Sequence, residues 1–160
     1  MTSFFNQYSV FWISALVLLA AFIILRWRRV AWRATLGAVI ALAAVMVVGY
    51  TVLRPGTSDV NSYTEAAATL ANGRPTFLEF FSNYCVGCLA SRPAVDDIVA
   101  DIQGDFNILR VDIHSEFGRI LRENLDFSFT PEFVVFNANG EEVWRGHVPP
   151  SQDQLALAMG

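Results

Sequence analysis

The chain's two cysteines, Cys85 and Cys88, stand at Cys-x-x-Cys spacing directly after the apolar, β-prone run Phe77-Leu-Glu-Phe-Phe81. If that run is a strand and the cysteines open the next helix, Cys85 lies where unpaired backbone N–H groups and the helix dipole stabilise a thiolate. Cys88 falls on the same helical face and can close a disulfide with it, so the pair is suited to reversible dithiol exchange. Two other readings stay open. A zinc site usually needs four ligands, and His114 and His147 are distant in sequence with no second ligand at motif spacing. An inert structural disulfide would close a small loop and restrict the unfolded chain little.

The elements that must position this pair begin with two apolar segments. Hydrophobic residues make up 54% of the chain and mean hydropathy is +0.40, with the excess in the first third. Residues 8–25 and 34–53 are each near the length needed to cross a ~30 Å hydrocarbon core, so two transmembrane helices are expected. A cleaved signal peptide would want basic residues before the first apolar run, and residues 1–9 hold none. Arg26, Arg28, Arg29 and Arg33 instead crowd the link at residues 26–33, which the positive-inside rule makes cytoplasmic and which leaves both termini extracytoplasmic. Trp27 and Trp32 flank that turn as interfacial anchors, and Tyr8 and Tyr50 fall near the other surface. Ala34, Gly37, Ala38, Ala41 and Ala44 form a small-residue stripe suited to close packing on the first span or on a partner protein.

Charge divides the chain as sharply. Those arginines are the only charged side chains before Arg54, and the remainder sets seven arginines against all 15 acidic residues, a net charge of −8. This argues against nucleic acid and anionic lipid as ligands of the remainder and mildly for basic or neutral protein partners, although ordinary solubility accounts for it equally.

The expected organisation is a membrane anchor at residues 1–53, a linker at 54–61 containing Pro55 and Gly56, and one compact domain at 62–160. Ser62 and Glu65 form a capping-box pattern opening an alanine-rich helix, which Asn72-Gly73 ends. A strand at 76–81, a helix from about 85 to 103, a strand at 107–113 and a short helix at 117–124 follow. Two strands, 133–137 and 141–147, are joined by Ala138-Asn-Gly140 as a hairpin turn, and Ser151 caps a last helix reaching Met159. The order αβαβαββα describes a sheet covered by helices.

These residues resemble the thioredoxin superfamily over residues 62–159. Glu79, six residues before Cys85, falls where thioredoxins carry a buried acid. Pro93 matches the proline of their active-site helix, Thr130-Pro131 their cis-proline, and Gly146 the glycine that follows their last strand. The resemblance implies an α/β thioredoxin-like domain in which Cys85 is the exposed nucleophile and Cys88 the resolving thiol. Glu79 would exchange the Cys88 proton, since a carboxyl in an apolar strand has a raised pKa. Phe77 and Phe81 alternate with Glu79, and this period of two places it on a buried face. Thr130 and Pro131, if the bond is cis, would pair with an extended substrate segment, and Tyr84 would offer a flat contact surface.

The string Tyr84-Cys-Val-Gly-Cys-Leu89 departs from the Trp-Cys-Gly-Pro-Cys-Lys of thioredoxin, and the first strand of many thioredoxins is not evident in the sequence. The redox potential is accordingly open within the family's range of roughly −270 to −120 mV. Glutamate at position 79 resembles membrane-tethered members that act in cytochrome c maturation and related thiol reduction outside the cytoplasm.

The implied activity is reduction of protein disulfides on the extracytoplasmic side, the bacterial periplasm or a thylakoid lumen. The only redox group expected is the Cys85–Cys88 disulfide itself, with no other cofactor. Protein thiol clients and a membrane electron-donor protein are the partners expected, because the spans carry no cysteine. The competing account is an accessory or assembly subunit of a respiratory or photosynthetic membrane complex, docked through its helices. A copper chaperone ranks third.

Overall fold

The computed structural model describes residues 2–59 and 62–160; Val60 and Asn61 of the expected linker lie outside the described residues. Eleven elements follow in chain order: α1 (Thr2–Gln7), α2 (Ser9–Trp27), α3 (Trp32–Leu53), α4 (Tyr63–Leu70), β1 (Thr76–Phe81), α5 (Val86–Ile102), β2 (Asn107–Asp112), α6 (Glu116–Asn124), β3 (Glu132–Phe136), β4 (Glu142–Gly146) and α7 (Gln152–Ala156).

The long apolar helices α2 and α3 form a hairpin turned at Arg28 and Arg29, where Arg29 adopts φ 57°. Both are long and apolar enough to be candidate membrane spans. Their outer surfaces expose large apolar side chains, among them Leu16, Ile40, Val45 and Val52, a surface suited to lipid rather than water. The small-residue stripe does not make the contact between them. Ala34, Gly37, Ala38, Ala41 and Ala44 are all exposed, and a Cβ added at Gly37 would meet nothing within 4 Å. The less exposed positions of α3 include Thr35, Val39, Leu42 and Met46, and those of α2 include Ser14, Leu18 and Phe22, which leaves the stripe outward.

The rest is a four-stranded mixed sheet of order β2-β1-β3-β4, in which β1 pairs parallel with β2 and antiparallel with β3, and β3 antiparallel with β4. β1 is buried at every residue, as a central strand covered on both faces must be. Alternation then sorts its side chains. Leu78 and Phe80 join Val111, Phe117, Leu121 and Val134 in one core, and Phe77 joins Val95, Ile102, Phe133 and Leu155 in the other. The helices are fixed locally by hydroxyl caps: Ser62 accepts from the Glu65 N–H, Ser115 from Gly118, and Ser151 forms a complete capping box with Gln154.

No fifth strand pairs with the sheet among the described residues. The outer edge of β2 is met instead by the chain leaving α3. Asp59 N–H donates to the Arg110 carbonyl at 2.9 Å, and the Asp112 N–H donates to Ser58 Oγ at 2.9 Å. Edge groups that a missing strand would satisfy are thus taken by the linker.

Candidate functional site

β1 delivers the loop Ser82-Asn83-Tyr84 and then Cys85, which is itself the N-cap of α5. Its Sγ accepts the Cys88 N–H at 3.4 Å, in the place a serine or aspartate oxygen takes in other caps. The Cys85 S–H is directed at the Thr130 carbonyl, 3.5 Å away, and the Thr130–Pro131 peptide is cis. Gly87 makes this closeness possible: a Cβ there would come within 3.1 Å of Pro131 Cδ and 3.6 Å of Cys85 Sγ. Where thioredoxin has its inner proline, this chain has a residue without a side chain against Pro131.

The two thiols are electrostatically unlike. A hydrogen bond with Cys88, followed by those with Thr130 and the Cys88 and Gly87 amides, lowers Cys85 to about 6 against the opposing effect of burial. Burial, the Cys85 partner and the Glu79 charge raise Cys88, so it remains a thiol. A thiolate beside a retained thiol is the polarity that sequential exchange uses.

Glu79 is fully buried, and burial raises its pKa despite the opposing effect of Arg110. Arg110 Nε lies 2.7 Å from Glu79 Oε2, and its Nη1 lies 3.0 Å from Asp96 Oδ1. The other Glu79 oxygen, Oε1, has no hydrogen-bond partner. One oxygen is held by the guanidinium and the other is free to take or give a proton.

The expectation that Cys85 is exposed is overturned, since both cysteines are fully buried. The reason is α1 and the first turn of α2, which lie over the dithiol. Asn6 Nδ2 donates to the Thr130 carbonyl at 2.9 Å, while the Thr130 N–H and Oγ1 donate to Asn6 Oδ1 at 3.1 and 2.9 Å. Ser82 Oγ donates to the Gln7 carbonyl, Val86 N–H to Ser9 Oγ and Val10 N–H to the Tyr84 carbonyl. Tyr84, expected as an open contact surface, is instead stacked on Tyr8 with centroids 5.8 Å apart. It also lines an apolar cavity of about 440 Å³ between α2 and α3, together with Phe11, Leu18, Met46 and Tyr50.

Both histidines, distant in sequence, come to the rim. His114 Nε2 is 3.0 Å from Ser82 Oγ and its ring tilts against Tyr8 and Tyr84; burial lowers its pKa. His147 Nδ1 is 2.9 Å from the Pro131 carbonyl. Asn83 binds the linker through both its amide atoms, Nδ2 to the Gly56 carbonyl at 2.7 Å and Oδ1 from the Gly56 N–H at 2.9 Å. A second buried acid, Glu132, follows Pro131 and pairs with Arg145 at 3.2 Å. Sequence reading singled out none of Asn6, Asn83, Arg110 or Glu132. Apart from Ser128, which donates to Glu132 from four residues away, the partners that place them lie between 13 and 124 residues away, beyond any local motif.

No family model matches the chain. It is 29% identical over 109 residues to a thiol:disulfide interchange protein TxlA homolog of Synechocystis sp., covering 65% of this chain and 59% of that protein. It is 30% identical over 80 residues to thiol:disulfide interchange protein TxlA of Synechococcus elongatus, covering 49% of this chain and 41% of that protein. The chain thus spans about half the length of these curated relatives. Among solved structures, a chain from work on thiol resolution in yeast mitochondrial 1-Cys peroxiredoxin by the glutathione/thioredoxin systems superposes with TM-score 0.50 at 12% identity. That superposition covers 57% of this chain and 83% of that one, and it shows the fold alone. With its mixed sheet, its dithiol at a helix start and a cis-proline facing it, the chain has a thioredoxin-like α/β fold, and its sequence is similar to thiol:disulfide interchange proteins.

Proposed function

We propose that the chain is a membrane-tethered thiol-disulfide oxidoreductase that reduces protein disulfides on the extracytoplasmic side. The observation that carries this is Cys85 Sγ at the N-cap of α5, accepting the Cys88 N–H and facing the cis Thr130–Pro131 peptide. In the first step the Cys85 thiolate attacks one sulfur of a client disulfide. A Cys85–client bond forms, the client S–S bond breaks, and the released client sulfur takes a proton. Cys88 then gives its proton to Glu79 and attacks Cys85 Sγ, forming the Cys85–Cys88 disulfide and releasing the second client thiol. Two electrons pass to the client, and a membrane dithiol donor must return them. Thr130 and Pro131 would form the edge on which the client backbone lies, with Tyr84 beside it.

α2 and α3 are read as the tether, the arginine-rich turn at 26–33 lying in the cytoplasm and the domain on the other side. The TxlA relatives' names support thiol:disulfide interchange, and reduction rather than oxidation follows from the likeness of Glu79 to tethered reductases. The test is to replace Cys88 with Ala in the full chain and trap mixed disulfides on Cys85, alongside the dithiol's equilibrium potential. Trapped clients and a potential near −270 mV support the reading, whereas one near −120 mV reverses the direction.

A second reading, docking subunit of a larger membrane complex, draws on the outward small-residue stripe of α3. It predicts an intact complex and unaffected function after loss of both thiols.

A further inference from the structure

A carboxamide has the same donor and acceptor as a peptide group, and Asn6 uses both against one residue. Its Nδ2 meets the Thr130 carbonyl and its Oδ1 meets the Thr130 N–H, the two-bond exchange a paired β-strand residue makes. We propose that α1 is a self-ligand of the dithiol groove: Asn6 holds the Thr130 edge in place of a client backbone, and a client reaches Cys85 only by displacing α1. The proposal rests on the thiol-exchange reading for what is being blocked, and it adds the chemistry of the ligand, a peptide or carboxamide group presented edge-on to Thr130.

Three further observations support displacement over permanent closure. α1 has six residues, too few to be a stable helix alone. Phe4 and Phe5 on it are 54% and 60% exposed, so little apolar burial holds it down. The helix breaks at Tyr8, at φ −115° and ψ 23°, while Ser9 and Val10 just beyond bond to Val86 and Tyr84. A hinge therefore lies between a lightly held cap and a firmly seated helix. The bonds that α1 makes to the Thr130 N–H and carbonyl are those a client backbone can replace, so displacement also requires only the Ser82 Oγ bond to the Gln7 carbonyl and the Thr130 hydroxyl bond to be exchanged.

The experiment follows carbamidomethylation of Cys85 by iodoacetamide in the reduced full chain in lipid vesicles, comparing the unsubstituted protein with N6A and N6D. N6A removes all three bonds to Thr130, and N6D sets a carboxylate oxygen against the Thr130 carbonyl. The expected result is a rate increase of about tenfold for N6A and more for N6D. Unchanged rates in folded variants overturn the proposal. Should neither variant fold, amide exchange in the unsubstituted chain decides. The Thr130 N–H is expected to be protected before Cys85 is alkylated and to lose that protection afterwards, whereas equal protection in both forms overturns the cap. Reduction of a model protein disulfide is measured in parallel. Faster alkylation of N6A with no disulfide exchange by any form keeps the cap and removes the oxidoreductase reading. Equal exchange and alkylation by the unsubstituted chain and N6A do the reverse.

Discussion

Glu79 and Arg110 face each other at one register position of the parallel strands β1 and β2, with Arg110 Nε 2.7 Å from Glu79 Oε2. The Glu79 charge raises the Cys88 pKa, so the pair links the dithiol electrostatically to β2. Because the guanidinium engages one carboxylate oxygen and leaves Oε1 without a partner, the acid is anchored without being used up.

Replacing Glu79 with Gln should slow the resolving step by about a hundredfold, the usual loss when a positioned general base is removed. Stopped-flow resolution of a preformed Cys85 mixed disulfide measures it. The unsubstituted rate should rise as pH climbs through the raised Glu79 pKa, and E79Q should lack that rise. Stability carries the matching sign. The folded carboxyl titrates above its ordinary 4.5, so its contribution is fully present below that value and is lost as pH increases through the raised one. Denaturant melts of the two proteins should therefore converge or cross toward neutral pH.

Cys85, lowered to about 6, should give a thiolate absorbance step near that pH in the reduced protein, absent in Cys85→Ser. A depressed thiol pKa stabilises the folded reduced form above the unfolded-chain value of ~8.5, and that contribution disappears as pH falls through about 6. A thiolate step no lower than that of a free cysteine would contradict the hydrogen bonding at the α5 N-cap.

A valine at Gly87 would push against Pro131 Cδ, which already lies 3.1 Å from the position of a Cβ. Overpacking of this kind costs about 1–3 kcal/mol, measurable by urea unfolding, and should raise the Cys85 pKa as the Thr130 carbonyl is moved away. Alanine at the same site should cost less, because the helix gains about 0.5–1 kcal/mol on replacing glycine.

Asn83→Ala removes both hydrogen bonds to Gly56 and should destabilise the protein by about 1–2 kcal/mol. Amide exchange at Gly56 should accelerate while β1 amides stay protected. Equal protection before and after would mean that the linker is held by Ser58 and Asp59 alone.

Much of this architecture was legible because it is local. β1 spans the apolar, β-prone run expected to form it, and the hydroxyls of Ser62 and Ser151 cap the helices they precede. Cys-x-x-Cys announced its own helix start, since a side chain that caps must stand one residue before the first turn. Arg110 was not legible as the partner of Glu79, because strand register is set by the packed sheet and one sequence carries no record of it. Asn6 was hidden more deeply. Nothing periodic marks a carboxamide that reaches a peptide group 124 residues away, and so Cys85 reads as open when it is covered. The small-residue stripe of α3 shows the converse, a clear pattern whose obvious neighbour, α2, is packed by other residues.

The Asn83 clamp on Gly56 also takes the slack out of the stalk. A head on a loose leash sweeps a wide shell and meets whatever diffuses past, but under the proposed tethering one bolted to its helices would work at a single altitude above the bilayer. Selection would then fall to geometry before chemistry: the disulfides that qualify would be those whose owners carry them to that height.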